Sequence, residues 1–541
     1  MNTISLSRFT ENHTGDPVDC LIIGGGITGA ALAYEAASRG FSTALVEKDD
    51  FGGATSAATG KLIHGGLRYL KQLEVGLVRE SLMERRILSN IAPNLVYPFP
   101  IILPDAGFVV KLGLFAYDLL SLDRNLVWDK SKRIPGFCRL TAKQVVAAMP
   151  KSATKPAGRA IRYYDCLCLS PERLTLAFIK SAAAQGAKVA NYAKTQSLII
   201  EKNRVLGATV QDRITGKTME VIAKVTINAT GPWTQTLLNR TKETRTPMPE
   251  MRSEGIYLVT RKLTDQMFLY VGEHGHFSFS PWRNHSLIGP TDTPYYGEVD
   301  DWQVTQKSVD DFLEVINQAA GLRDKLTRKD VKFAYGGLRP LAETASNNTY
   351  TASRRSALHD HEDDGISGLI SAAGGKYTTS RRFARQIFDC VAKKSERPAT
   401  PSISHRRHLY GCDIPGIEAF IARKKQDLPA VSEQTLDYLI RHYGREFEAV
   451  LDLARTSEGL GKAVNADGEI MAQVLFAVKN ELARSLTDIF FRRTGMGWLG
   501  HPGAAIIETA ATIAAAELDW SKEKKELEIK ELNQKFLYRQ A

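Results

Sequence analysis

Three glycines and one carboxylate carry the first chemical signal in this chain. Gly24, Gly26 and Gly29 stand in the run GGGITG, and Glu47 follows 21 positions after Gly26. That spacing suits a dinucleotide. Gly24 permits a tight turn, Gly26 lets the backbone approach a pyrophosphate, and Gly29 lets a helix pack closely on a strand, while the free N–H groups of the helix N-terminus receive the anion. An acid at position 47 accepts hydrogen bonds from an adenosine ribose and argues against a 2′-phosphate, hence against NADP. The elements that must hold these residues are legible around them. DCLIIG is a short apolar run, AALAYEAASRG is a helical pattern closed by Gly40, and FSTALVEKDD is a second strand closing on Glu47. Strand, glycine turn, helix and strand thus follow within about 30 residues.

Two further strand-to-glycine turns come late, in KVTINATGPW (residues 224–233) and in GLISAAGGKYTT, which opens a long amphipathic helix ending at Lys394. Turns so far apart imply a binding domain assembled from separated pieces. Between them GIYLVTRKL, FSFSPW and SLIGPTD alternate in the manner of antiparallel strands of an inserted substrate domain. The expected division is a discontinuous dinucleotide domain at 17–75, 150–235 and 335–395, a cap domain at 76–149 and 236–334, a Pro/Ser-rich linker at 396–416, and a helical domain at 417–541.

Lys and Arg number 71 against 60 Asp and Glu, a net charge of +11 that favours an anionic partner. The basic residues are dispersed rather than interleaved with aromatics, so no nucleic-acid role is expected. Six cysteines without a CxxC pair argue against both a disulfide framework and a structural zinc site, and for a reducing compartment. Cys166 and Cys168 read as two small residues on one strand face, residues 405–408 as solvated linker, and no grouping suggests a metal. The N-terminal residues lack a signal-peptide pattern, and no apolar run reaches the ~18 residues of a spanning helix. Residues 96–120 come nearest, but three prolines and several charges interrupt them, so they are expected to touch a membrane without crossing it.

GGGITGAALAYEAASRG, ATSAATGKLIHGGLRYL, NATGPW, PWRNHSLIGPTDT, YGGLRPL and AAGGKYTT follow one another in a known order. In this the chain resembles the FAD-dependent glycerol-3-phosphate dehydrogenases of the aerobic, membrane-associated type over nearly its whole length, and NELARSLTDIFFRRT resembles their C-terminal helical domain. The resemblance implies an α/β fold: a Rossmann-like FAD-binding domain of the glycine-oxidase and glutathione-reductase kind, an antiparallel-sheet substrate cap, and an added α-helical domain. It implies non-covalent FAD held by Gly24, Gly26, Gly29 and Glu47 at the ADP end, by Thr55, Ser56, Thr59, Lys61 and Gly231 near the pyrophosphate, and by Gly374, Gly375, Lys376 and Thr378 near the ring.

A phosphorylated small polyol needs several fixed cations, and the resemblance assigns Arg68, Tyr69, Arg339, Arg354 and Lys376 to the substrate pocket. Arg339, Lys376, His64 and Glu254 are the expected catalytic groups. That family commonly carries a Gly-x-His segment where this chain reads RSEGIY (residues 252–257), and Pro290 stands where it usually has Thr. Glu254, Tyr257, His64 or another group then serves as base, or the substrate is another polyol phosphate such as a four-carbon one. The resemblance further implies a membrane quinone as electron acceptor, with dioxygen as the alternative. It also implies a cytoplasmic protein held peripherally on the inner face of the membrane, with a homodimer possible.

Overall fold

Val18–Ile23 is buried at every position, the pattern of a parallel strand covered on both faces. In the computed structural model, which describes residues 3–104, 107–148, 160–240, 252–272, 275–320, 322–340, 355–395 and 400–538, this strand lies inside the first of two sheets. It pairs in parallel with Thr43–Val46 on one side and Thr218–Asn228 on the other, and the latter pairs in parallel with Leu369–Gly374. Lys188–Ala190 and Ser356–Asp360 close the two edges. Ala-rich Ile27–Ser38 packs with Pro171–Ala183 and Ser380–Lys394 over one face, through Ala33, Leu174, Phe178 and Phe388. The hairpin of Ala193–Glu201 and Arg204–Asp212 covers the other, through Ala208 and Val210.

The second sheet is built on Arg252–Arg261, which pairs antiparallel with His285–Gly289, Thr293–Tyr295 and Val331–Pro340. The strands expected from GIYLVTRKL, FSFSPW and SLIGPTD all lie in it. Val96–Pro104 and Ala160–Cys168 extend it by a nine-residue antiparallel ladder, to which Leu62–Ile63 adds. Leu62–Ile63 and Ala160–Cys168 fall within spans expected for the dinucleotide domain yet hydrogen-bond into this sheet. Chain within those spans therefore contributes strands to the second sheet.

Seven α-helices from Ile417–Asp427 to Lys522–Gln534 follow among the described residues, several with serine caps: Ser432 accepts from Thr435 N–H and Ser521 from Lys524 N–H. Their second core is shared with the second sheet, where Phe491, Met496 and Trp498 meet Trp282, Phe333 and Tyr335. Residues 400–416 carry neither helix nor strand; Arg406 and Arg407 are exposed, while Leu409, Cys412 and Ile414 are buried and anchor the stretch. Residues 96–120 divide into the Val96–Pro104 strand and the Phe108–Leu119 helix. No helix among the described residues is long and apolar enough to cross a membrane.

Candidate active site

A cavity of about 2660 Å³ runs between the two sheets, well beyond the ~300–1,000 Å³ of an ordinary small-ligand pocket. Its nucleotide end is built by the first glycine turn. A Cβ on Gly24 would stand 2.6 Å from the Ala229 carbonyl oxygen, and one on Gly29 1.8 Å from that of Gly24, so any larger residue would force strand and helix apart. Gly26 caps the N-terminus of Ile27–Ser38 and lines the cavity. Glu47 accepts from the N–H groups of Gly25 (2.6 Å) and Asp49 (2.9 Å), and burial pushes its carboxyl up to about 7. Ser56 Oγ accepts from Ile27 N–H at 2.9 Å, Thr55 Oγ1 donates to the Leu338 carbonyl at 2.6 Å, and Thr59 Oγ1 accepts from Lys61 N–H at 3.2 Å. Gly231, at φ +59°, faces space in which a Cβ would meet nothing within 4 Å. A helix N-terminus at the cavity, a half-buried ribose-type acceptor and this glycine cradle fit a dinucleotide.

The other end is organised by a buried acid. Asp165 accepts from Arg85 (2.7 Å), Tyr117 (2.7 Å) and Gly65 N–H (3.2 Å), so the HGG turn at 64–66 is fixed from beneath. His64 N–H donates to Thr378 Oγ1 at 3.3 Å. Burial first, then the cations Lys376, Arg68 and Arg85, press the His64 ring down to about 3, so it is neutral at physiological pH. Arg68 donates to the Tyr69 hydroxyl at 3.2 Å, and Lys376 Nζ lies 4.5 Å from the centre of the Tyr69 ring. That Nζ is buried and has no hydrogen-bond partner among the described residues. Burial first, then Arg68, push its pKa down to about 7. Gly374 and Gly375, at φ +63° and +92°, line the same end.

On the facing wall Arg339 donates to Ser253 Oγ (3.0 Å) and to the Thr291 carbonyl (3.3 Å). It lies flat over Gly255, where a Cβ would come 1.8 Å from its Nη2. Tyr257 lines the cavity beside it, with its phenol raised by burial.

Two expected site residues lie elsewhere. Lys61, at φ +58°, turns its side chain out of the hydroxyl-rich run into the protein, where Nζ donates to Glu172 at 3.1 Å and sits 4.4 Å from the Trp498 ring centre. Glu254 accepts from Trp302 Nε1 at 2.7 Å and Thr293 Oγ1 at 3.4 Å, because strand alternation sends it to the face opposite Ser253 and Tyr257. Arg354 lies outside the described residues. Sequence reasoning passed over Asp165, Tyr117 and Gly255. A lone acid inside the apolar strand YYDCLC was the available signal for the first. It also passed over the C-terminal helices' share, for Arg484, Arg492 and Lys535 line the cavity. Cys166 and Cys168 are buried, and burial raises both thiols, that of Cys166 to about 12.

Residues 19–381 match the family described as FAD dependent oxidoreductase, and residues 402–525 match the C-terminal domain of alpha-glycerophosphate oxidase. The chain is 33% identical over 503 residues to a glycerol-3-phosphate dehydrogenase of Synechocystis, covering 88% of each protein. To the glycerol-3-phosphate dehydrogenase of Mycobacterium leprae it is 32% identical over 537 residues, covering 97% of this chain and 88% of that one. It belongs to the FAD-dependent glycerol-3-phosphate dehydrogenase family. Among solved structures, the family member from Bacillus halodurans, complexed with FAD, is similar over 97% of this chain and 95% of its own, with a TM-score of 0.77 at 26% identity. Glycine oxidase from Geobacillus kaustophilus shares the fold at a TM-score of 0.50 and 19% identity. The two-sheet body with an added helical domain is thus the family's architecture, and FAD is the cofactor that the glycine cradle serves.

Proposed function

We propose that this chain oxidises sn-glycerol 3-phosphate to dihydroxyacetone phosphate and delivers the electrons to a membrane quinone. The observation that carries the reading is Lys376. A buried ammonium-type nitrogen without a hydrogen-bond partner is costly, and here it faces a cavity that also receives Arg68 and Arg339. The alcohol hydroxyl of a polyol phosphate supplies the missing partner, while the two arginines take its phosphate. When bound, FAD provides the hydride acceptor for the alcohol carbon.

The chain's own residues do the rest. Arg68 and Arg339, each already oriented by a hydroxyl partner, hold the anion from two walls. Lys376 Nζ, held near 7, takes the hydroxyl proton, since a base poised near the working pH is the most effective. His64, neutral, and the Tyr257 phenol orient the polyol by hydrogen bonding. The absence of His from 252–257 favours one second reading, a four-carbon polyol phosphate.

The Phe108–Leu119 helix supports the quinone acceptor and a place on the inner face of the cytoplasmic membrane. Phe108, Leu112 and Phe115 are 80%, 59% and 60% exposed along it, while Leu112, Gly113 and Ala116 line the cavity. An apolar helix at the rim of the site gives an interfacial foothold without a spanning segment. The test uses purified holoenzyme with anionic phospholipid vesicles and a quinone analogue. Co-flotation with vesicles, lost in Phe108→Ser/Phe115→Ser, together with quinone reduction driven by glycerol 3-phosphate, is expected. Hydrogen peroxide formed in step with substrate consumption, or faster turnover of erythritol phosphate, would contradict the reading.

A further inference from the structure

Away from the cavity, the Ser356–Asp360 strand and the turn after it gather two imidazoles and a carboxylate. His359 Nε2 lies 2.9 Å and His361 Nδ1 3.0 Å from the same oxygen, Asp364 Oδ2, and the donor atoms all fall within 4.8 Å of one another. In sequence the three are spread as H-x-H-x-x-D, and only the tight 3-10 turn over His361–Asp364, closed by Gly365 at φ +87°, folds the carboxylate back onto the imidazoles. We infer that His359, His361 and Asp364 form a binding site for a borderline divalent transition-metal ion, Zn²⁺ in the first instance.

Donor identity and geometry both favour this. Two imidazole nitrogens and one carboxylate oxygen are a common three-ligand set for zinc, at bond lengths of about 2.0–2.2 Å, with water completing a tetrahedron. Both separations to Asp364 Oδ2 are close to an edge of such a tetrahedron, and the two imidazole nitrogens lie within 4.8 Å of each other. The outer hydrogen bond is also built: His361 Nε2 lies 2.9 Å from Ser371 Oγ on the neighbouring strand. With the Ser371 hydroxyl accepting from Nε2–H, Nδ1 presents its lone pair to the ion. Without metal, both imidazoles donate to Asp364. With metal, each neutral ring moves its proton to its other nitrogen, so binding needs a tautomer change and no net proton loss. His361 is fully buried and His359 a quarter exposed, which fixes one ligand and leaves an entry path at the other. The adjacent carboxylates Asp360 and Glu362 are already engaged by Lys394.

The site sits on the hairpin formed with Leu369–Gly374, at the opposite end from the Ser356 and Gly374 pair that borders the cavity. Its effect is therefore on the stability of this hairpin, with turnover unchanged. The test is made on chelator-treated holoenzyme dialysed against Zn²⁺ and assayed for bound metal, alongside His359→Ala and Asp364→Asn. The wild type is expected to retain about one Zn²⁺ per chain and to melt at a higher temperature with it. The variants should bind at least ~10-fold more weakly, with unchanged flavin content and without the rise in melting temperature that Zn²⁺ gives the wild type. Co²⁺ bound to the wild type should give the intense visible absorption of a tetrahedral N/O site, a readout independent of any variant. No retained Zn²⁺, no such Co²⁺ spectrum, or binding by the two variants as tight as the wild type's would overturn the inference.

Discussion

Lys61 and Lys376 both hold a buried Nζ against aromatic rings, and they have opposite fates. Lys61 Nζ is paired with Glu172 at 3.1 Å inside a cage that includes Trp282 and Trp498. Lys376 Nζ faces Tyr69 and has no hydrogen-bond partner among the described residues. The first arrangement is complete within the protein and fastens the hydroxyl-rich turn to the Pro171–Ala183 helix and to the C-terminal helical core. The second is incomplete and faces the cavity. Burial alone therefore does not mark a functional cation. Burial with an unmet bonding requirement does.

The sharpest way to break this comparison is to exchange each lysine for methionine. Lys376→Met should lower kcat/KM for glycerol 3-phosphate by ~10²–10⁴-fold, the range of a lost positioned acid or base, while leaving the melting temperature of the holoenzyme unchanged or higher. Near-normal turnover would remove Lys376 from the chemistry. Lys61→Met strands a buried carboxylate and should cost about 3–5 kcal/mol of stability in denaturant unfolding, with KM preserved in the folded fraction. The double change Lys61→Met/Glu172→Leu should recover much of that loss. No recovery would mean that the pair is not what holds this turn.

The same contrast has a pH signature. Lys376 is depressed to about 7 from its ordinary 10.5, so the neutral base is lost as pH falls through 7, and kcat/KM of the free enzyme should drop about tenfold per unit below it. For stability the sign is set by protons bound: between about 7 and 10.5 the unfolded chain holds the proton that the folded chain lacks, so this group's contribution rises with pH across that window. A profile flat through 7 in the wild type, or a break that persists in Lys376→Met, would assign the base elsewhere. The smallest effect belongs to Glu254→Gln. Its carboxylate serves Trp302 on the far face of its strand, so kcat should change less than about threefold, in line with the ±0.5 kcal/mol of substitutions remote from a site. A large loss in kcat would return Glu254 to the reaction.

What could be read from the sequence was what local spacing determines. The glycine turn and Glu47 were legible because each glycine answers a contact only a few residues or one strand away, as Gly29 answers Gly24. The antiparallel strands showed in their alternation. Lys61 was misplaced because a left-handed backbone at one residue turns its side chain away from the row of hydroxyls it follows. Glu254 and Tyr257 differ in parity, and the sequence could not say which face of Arg252–Arg261 meets the cavity until Val331–Pro340 paired with it and brought Arg339 over Gly255. Asp165, a hundred residues from the Gly65 N–H it accepts from, becomes meaningful only through the ladder that carries it there.

The most direct test is anaerobic reduction of the purified holoenzyme's flavin, followed by absorbance on addition of sn-glycerol 3-phosphate, with erythritol phosphate and free glycerol in parallel. Rapid bleaching by glycerol 3-phosphate, none by glycerol, and severe slowing in Lys376→Met are predicted. Bleaching by the four-carbon phosphate but not by glycerol 3-phosphate would contradict the substrate assignment and place the specificity change at residues 252–257.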